Sequence, residues 1–177
     1  APRVDGADKV AGRALFGADL TFDNMLWGQP VRTRYPHARI LAIDTSKAEA
    51  IPGVVRVLTA NDVPGSRTFG VVVPHQPLLC WDRVRFMGDA VAVVLAESRE
   101  AAQMAACSVQ VEYEVLPSVF DPEEAIRPGA PQLHDEYPAN VAAHHVVRKG
   151  DVERGFAEAD VILERDYTTQ LIEHAYI

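Results

Sequence analysis

Apolar and polar positions divide the chain into stretches of different period. Val91-Ala92-Val93-Val94-Leu95-Ala96 is an unbroken apolar run, the pattern of a strand covered on both faces, and Glu97-Ser98 then offers a helix start with Ser98 as N-cap. Ala101, Ala102, Met104, Ala105 and Ala106 favour a helix from Ser98 to Cys107, on which small side chains let the axis lie close to a sheet and Cys107 packs inward. Val109, Val111, Tyr113 and Val115 then alternate with Gln110, Glu112 and Glu114, as in a strand with one wet face, and Pro117 closes it. Strand, helix and strand are long enough for a right-handed crossover, and the pattern leaves open whether the two strands are neighbours.

A smaller version lies upstream. Ile40 to Ile43 reads as a strand leading through Thr45 into a short helix from Ser46 to Ala50, stopped at Pro52-Gly53 and followed by a strand from Val54 to Leu58. Thr59 and Asp62 have the spacing of a capping box, which predicts a short helix before Pro64-Gly65, and loops fill the stretch to Arg83. From Leu116 to Ala139 five prolines and no sustained period predict an extended connector containing a domain boundary. Beyond it, Asp151 to Ala159 reads as a helix with an acidic first turn, and Val161 to Thr169 as a strand running into the apolar segment Gln170 to Ile177.

Composition narrows the class. With 177 residues, 48% hydrophobic and 24% charged, the chain is a folded protein with a real core, not a disordered or collagen-like one. Its net charge of −8 argues against nucleic acid, and the densest basic cluster, Arg32, Arg34, His37 and Arg39, reads as a solvated loop edge. No apolar run approaches the roughly 20 residues of a membrane helix, and Ala1-Pro2-Arg3-Val4-Asp5 lacks a signal-peptide core. Two cysteines, Cys80 and Cys107, with no paired spacing suit a cytoplasmic protein with both thiols reduced and structural.

Candidate chemistry is sparse. The glycine pairs 12 and 17, 65 and 70, and 150 and 155 have the outer spacing of a phosphate loop, but Ala18-Asp19, Val71-Val72 and Phe156-Ala157 stand where it needs Lys and Ser or Thr. His134-Asp135-Glu136 matches half of a zinc deaminase motif without the cysteines that complete it, and reads as a surface loop. His144 and His145, adjacent in sequence, point apart on a strand and are poor partners on one metal. His37 and His174 read as hydrogen-bonded packing histidines. Asp89, after Gly88, reads as a turn acid, with contact to a loop amide or a partner chain as the functional alternative.

Seven phrases in order carry a family resemblance: Val10-Ala11-Gly12-Arg13-Ala14, Tyr35-Pro36-His37-Ala38-Arg39-Ile40, Asp44-Thr45-Ser46-Lys47-Ala48, Pro52-Gly53-Val54, Val84 to Ala92, Val111 to Pro117, and Glu173-His174-Ala175. Together they resemble the start of the molybdenum subunit of the xanthine dehydrogenase and aldehyde oxidase family. The resemblance implies a mixed α/β (α+β) fold: an N-terminal arm over 1–11, an α/β-hammerhead domain over 12–119, and a connector with the beginning of a molybdopterin-binding domain over 120–177. It further implies part of an enzyme that hydroxylates a heteroaromatic or aldehyde substrate with water as oxygen source. Two departures stand out: Arg34 replaces a smaller loop residue, and Gly88-Asp89-Ala90 replaces the frequent Gly-Glu-Pro, a variant that occurs in ring hydroxylases and thioester reductases and disfavours carbon monoxide dehydrogenase.

The cofactors so implied for the complete enzyme are molybdopterin, as the cytosine dinucleotide, with iron-sulfur clusters and FAD on partner domains or subunits. The family's cofactor and catalytic contacts lie downstream of Glu173-His174-Ala175. No residue of this chain is therefore expected to be catalytic, cofactor-binding or metal-binding, and the chain alone is expected to be inactive. Its expected partners are the rest of the molybdenum subunit and the iron-sulfur and FAD partners, with no nucleic acid or membrane. The alternatives are a piece of a 4-hydroxybenzoyl-CoA reductase-like enzyme, or a free-standing binding or assembly module.

Overall fold

The computed structural model describes residues 3–71 and 73–172. The chain divides into two compact units, residues 1–140 and 141–177. In the first unit, a short helix α1 (Gly6–Val10) precedes strands β1 (Trp27–Arg32) and β2 (Ala38–Asp44), helix α2 (Ser46–Glu49) and strand β3 (Val54–Thr59). The two-residue strands β4 (Thr68–Phe69), β5 (Gln76–Pro77) and β6 (Arg83–Val84) lead to β7 (Ala90–Ala96), helix α3 (Arg99–Ser108), β8 (Gln110–Val115) and a one-turn helix α4 (Pro122–Ala125). The second unit holds helix α5 (Val152–Glu158).

Strand β7 is central in one sheet, ordered β1-β7-β3, and β2 is central in another, ordered β6-β2-β8, while β4 and β5 form a separate hairpin. Every pairing is antiparallel. Helix α3 therefore joins strands of two different sheets, and the parallel crossover that the sequence pattern permits does not form.

The apolar run of β7 is buried unevenly. Ala92, Val94 and Ala96 are fully buried beneath α2 and α3, together with Ala48, Val57, Ala101, Ala102 and Ala105, whereas Val93 and Leu95 on the opposite face are only half-buried. Val91 is fully buried because the second sheet reaches it there, in a cluster with Ala38, Cys80 and Val84. Alanine on the inner face of α3 lets the helix backbone sit close to the sheet. Ser98 caps that helix, its hydroxyl oxygen accepting from the Ala101 N–H at 3.1 Å. Met104 and Cys107 face solvent, so the expectation that Cys107 packs inward fails: the inner positions of the helix are 101, 102 and 105, and 107 falls off that stripe.

Thr59 and Asp62 form the expected capping box around a single 3-10 turn, Ala60–Asp62. The Asp62 carboxylate accepts from the Thr59 N–H at 2.9 Å and pairs with Arg56 at 2.7 Å, and these contacts hold its carboxyl below the usual range. The proline-rich segment after Pro117 is tied down at several points. Leu133 O accepts from the Arg85 Nε at 2.9 Å, and the Asn140 side-chain amide donates to Ala125 O and Pro131 O, both at 2.9 Å.

In the second unit α5 forms where expected, capped by Asp151, whose carboxylate accepts from the Arg154 N–H at 3.0 Å. Val161 to Thr169 does not form the expected strand. A strand exists only through a ladder, and among the described residues none pairs with this segment.

Candidate functional site

One polar arrangement lies where Val91 of β7 meets Ala38 and Val84 of the second sheet. Gly88 adopts a φ of 103°, a conformation that costs a glycine little, and so closes a turn in which the Asp89 N–H donates to Phe86 O. The turn is clamped to the end of β1: the Thr33 N–H donates to Asp89 O at 2.9 Å, the Gly88 N–H to Thr33 O at 2.9 Å, and Arg32 Nη1 to Gly88 O at 2.7 Å. Asp89 is 4% exposed, and its Oδ2 accepts from the backbone N–H groups of Arg85 at 2.7 Å and Phe86 at 3.3 Å. The loop-amide contact considered for Asp89 is thus the one it makes, and it leaves the carboxylate organising a turn in place of meeting a substrate.

Burial, with the Asp89 carboxylate as the second cause, pushes the neighbouring Cys80 thiol up to about 12. Such a thiol is a packing group and not a nucleophile. Tyr35 and Tyr113 pack edge to face beside it, ring centroids 5.1 Å apart, and burial raises the Tyr113 phenol above its ordinary value. His37, 3% exposed, hydrogen-bonds through Nδ1 to Pro117 O at 2.6 Å, the packing role expected of it, while Nε2 is buried without a partner among the described residues.

A second grouping has no counterpart in the sequence motifs. His75, from the loop before β5, meets His134 and Tyr137 edge to face, with ring centroids 4.6 Å and 5.5 Å away. These rings line a cleft of about 410 Å³ with Trp81, Asp82 and Arg85. Burial, followed by the positive charges of Arg85 and His75, holds the His134 imidazole below its ordinary pKa. His75 lies far from His134 in sequence and no motif spacing links them, so only the fold brings them together. The carboxylates next to His134 are engaged elsewhere or exposed: Asp135 reaches Arg83 at 3.4 Å, and Glu136 stands 3.9 Å from His134 Nδ1.

His144 and His145 are exposed in the second unit, and His174 lies outside the described residues, as does Val72 of the Gly65 to Gly70 loop. Among the described residues, positive φ occurs at Gly12, Gly53, Gly65, Gly70, Gly88, Gly129 and Gly150, which are spread along the sequence. Among the described residues no three His, Cys, Asp or Glu side chains converge as a metal site. The donor set of the described residues does not fit a molybdenum-bearing pterin. No helix among them is long and apolar enough to cross a membrane.

Comparisons with known proteins set this geometry in context. Residues 11–117 match the family model described as "Aldehyde oxidase and xanthine dehydrogenase, a/b hammerhead domain". The chain is 44% identical over 175 residues to a probable xanthine dehydrogenase subunit of Bacillus subtilis, covering 99% of this chain and 23% of that protein. It is 38% identical over 175 residues to the nicotinate dehydrogenase large molybdopterin subunit of Eubacterium barkeri, covering 99% of this chain and 41% of that one. Among solved structures, the aldehyde oxidoreductase of Desulfovibrio gigas superposes with a TM-score of 0.78 at 34% identity, over 90% of this chain and 19% of that one. A Cu,Mo carbon monoxide dehydrogenase superposes with a TM-score of 0.77 at 35% identity, over 91% of this chain and 22% of that one. The chain spans less than half the length of each of these relatives.

Proposed function

Because the chain belongs to the aldehyde oxidase and xanthine dehydrogenase family, we propose that it is the hammerhead-bearing part of a molybdenum hydroxylase. The enzyme acts on a heteroaromatic or aldehyde substrate, with water as the source of the inserted oxygen. The match over residues 11–117 carries this reading. In it, residues 1–11 are an arm, 12–119 the hammerhead and 120–177 a connector with the start of a molybdopterin-binding domain. The first compact unit extends to residue 140, so in this reading the connector residues 120–140 pack with the hammerhead.

Within the enzyme these residues scaffold. The cofactor, a molybdopterin carried as the cytosine dinucleotide, supplies the redox chemistry from sequence outside these residues, and electrons pass to iron-sulfur and FAD partners in the cytoplasm. What this chain contributes is a rigid two-sheet body, held at the sheet junction by the Asp89 turn, on which further domains and subunits pack. Exposed apolar side chains such as Phe16, Phe22, Phe86 and Met87, 58%, 70%, 49% and 66% exposed, are suited to that packing.

Purification of the polypeptide encoded by the whole gene and turnover in oxygen-18 water test the proposal. With a panel of purines, pyridines and aromatic aldehydes, the heavy oxygen should enter the product. Product oxygen drawn from dioxygen, or no oxidation of any member of the panel, contradicts it. Residues 1–177 alone should bind no molybdenum and oxidise neither xanthine nor an aldehyde.

A further inference from the structure

We propose that His75, His134 and Tyr137 form an acid-sensitive clasp that holds the 131–140 segment against the rest of the first unit at neutral pH and loosens in mild acid. The segment enters neither three-stranded sheet. Its own fold is local: the Gln132 side-chain amide donates to His134 O and Tyr137 O, and the Leu133 N–H donates to Asn140 Oδ1. It is fastened to the body at Arg85, whose Nε donates to Leu133 O at 2.9 Å, and through the three rings, in which His134 and Tyr137 of the segment close around His75, just before β5. The Arg83 to Asp135 pair adds little, since the Asp135 side chain is 78% exposed.

The charges facing His134 make this contact selective for the neutral imidazole. From the stretch around β6 come Arg85, only 17% exposed, and Arg83, 18% exposed. Asp82 is engaged by Arg85 at 3.6 Å, and Asp135 by Arg83 at 3.4 Å. From the residue just before β5 comes the His75 ring. The remaining opposing group is Glu136 on the segment, 3.9 Å from His134 Nδ1 and 57% exposed. An imidazolium at 134 would therefore be a further cation beside two guanidiniums that are largely shielded from water.

The direction of the linkage follows. Burial and Arg85 hold the closed-state pKa of His134 below the ordinary value of about 6.5 that it regains once released. The released state then binds more protons than the closed one. The clasp is at full strength above that ordinary value and weakens as pH falls from it through the lower closed-state value.

Hydrogen exchange on residues 1–177 at pH 7.5 and 5.5, corrected for intrinsic rates, tests the proposal. Opening of 131–140 should rise more than about twofold at the lower pH while Ala90 to Ala96 stays equally protected. His134→Gln should abolish that pH dependence, and the exposed-histidine control His145→Gln should leave it intact. A constant opening in the parent chain, or an unchanged pH dependence in His134→Gln, overturns the clasp. Should His134→Gln disturb the segment by itself, the His134 ring titration followed by NMR in the parent chain decides. A midpoint below the ordinary histidine value supports the clasp, and one at or above it overturns it.

Discussion

Val94 has no exposed surface and packs against Ala48, Val57, Ala92 and Ala105, so a charge placed there has neither water nor a partner. Val94→Asp should cost several kcal/mol, comparable with the ~5–15 kcal/mol stability of a whole domain, and abolish cooperative unfolding of the first unit in a urea titration followed by circular dichroism. The two thiols should differ as sharply. Cys107 is exposed and Cys80 is 1% exposed, with its thiol pushed up to about 12. A maleimide should label Cys107 at once in the native chain and Cys80 only after denaturation; equal rates would contradict the burial of Cys80. At this scale the sequence was partly legible. Gly88-Asp89 announces a turn acid, and His37 a packing histidine. The meeting of His75, His134 and Tyr137 is a product of folding that no local pattern encodes.

Among the elements, the strand and helix from Ala90 to Ser108 were the most legible, because an unbroken apolar run followed by a capped alanine-rich stretch satisfies both local propensity and burial. The sequence pattern carries no signal for strand β1 because Gly28 and Pro30 interrupt it. Both residues are tolerated there since β1 is an edge strand that, among the described residues, pairs with β7 alone, where Pro30 sits opposite Val93. Val161 to Thr169 erred in the other direction: its alternation defines a face but supplies no partner strand. Close approach of α3 to the sheet depends on alanine, and Ala105 is fully buried. Ala105→Leu should therefore destabilise the first unit by about 1–3 kcal/mol through overpacking, measured by the same urea titration. A neutral or stabilising result would mean that space exists beneath the helix.

For the whole molecule, the contacts of the 120–140 segment bear on where a stable piece can end. Residues 1–140 should fold alone, and residues 1–119 should be about 1–3 kcal/mol less stable, because they lose the acceptor for Arg85 at Leu133 O and the packing around His75. Equal stability would show that the segment adds nothing to the first unit. Removal of 141–177 should also leave a more strictly monomeric protein by light scattering, since Leu163, Tyr167 and Leu171 are 78%, 89% and 102% exposed. The scaffold assignment itself meets its most direct test in a metal analysis. Molybdenum is measured by mass spectrometry in two preparations from a molybdopterin-competent host, the polypeptide encoded by the whole gene and residues 1–177 alone. Stoichiometric molybdenum in the first and none in the second is the predicted result; stoichiometric metal on residues 1–177, or none on the whole polypeptide, would contradict it.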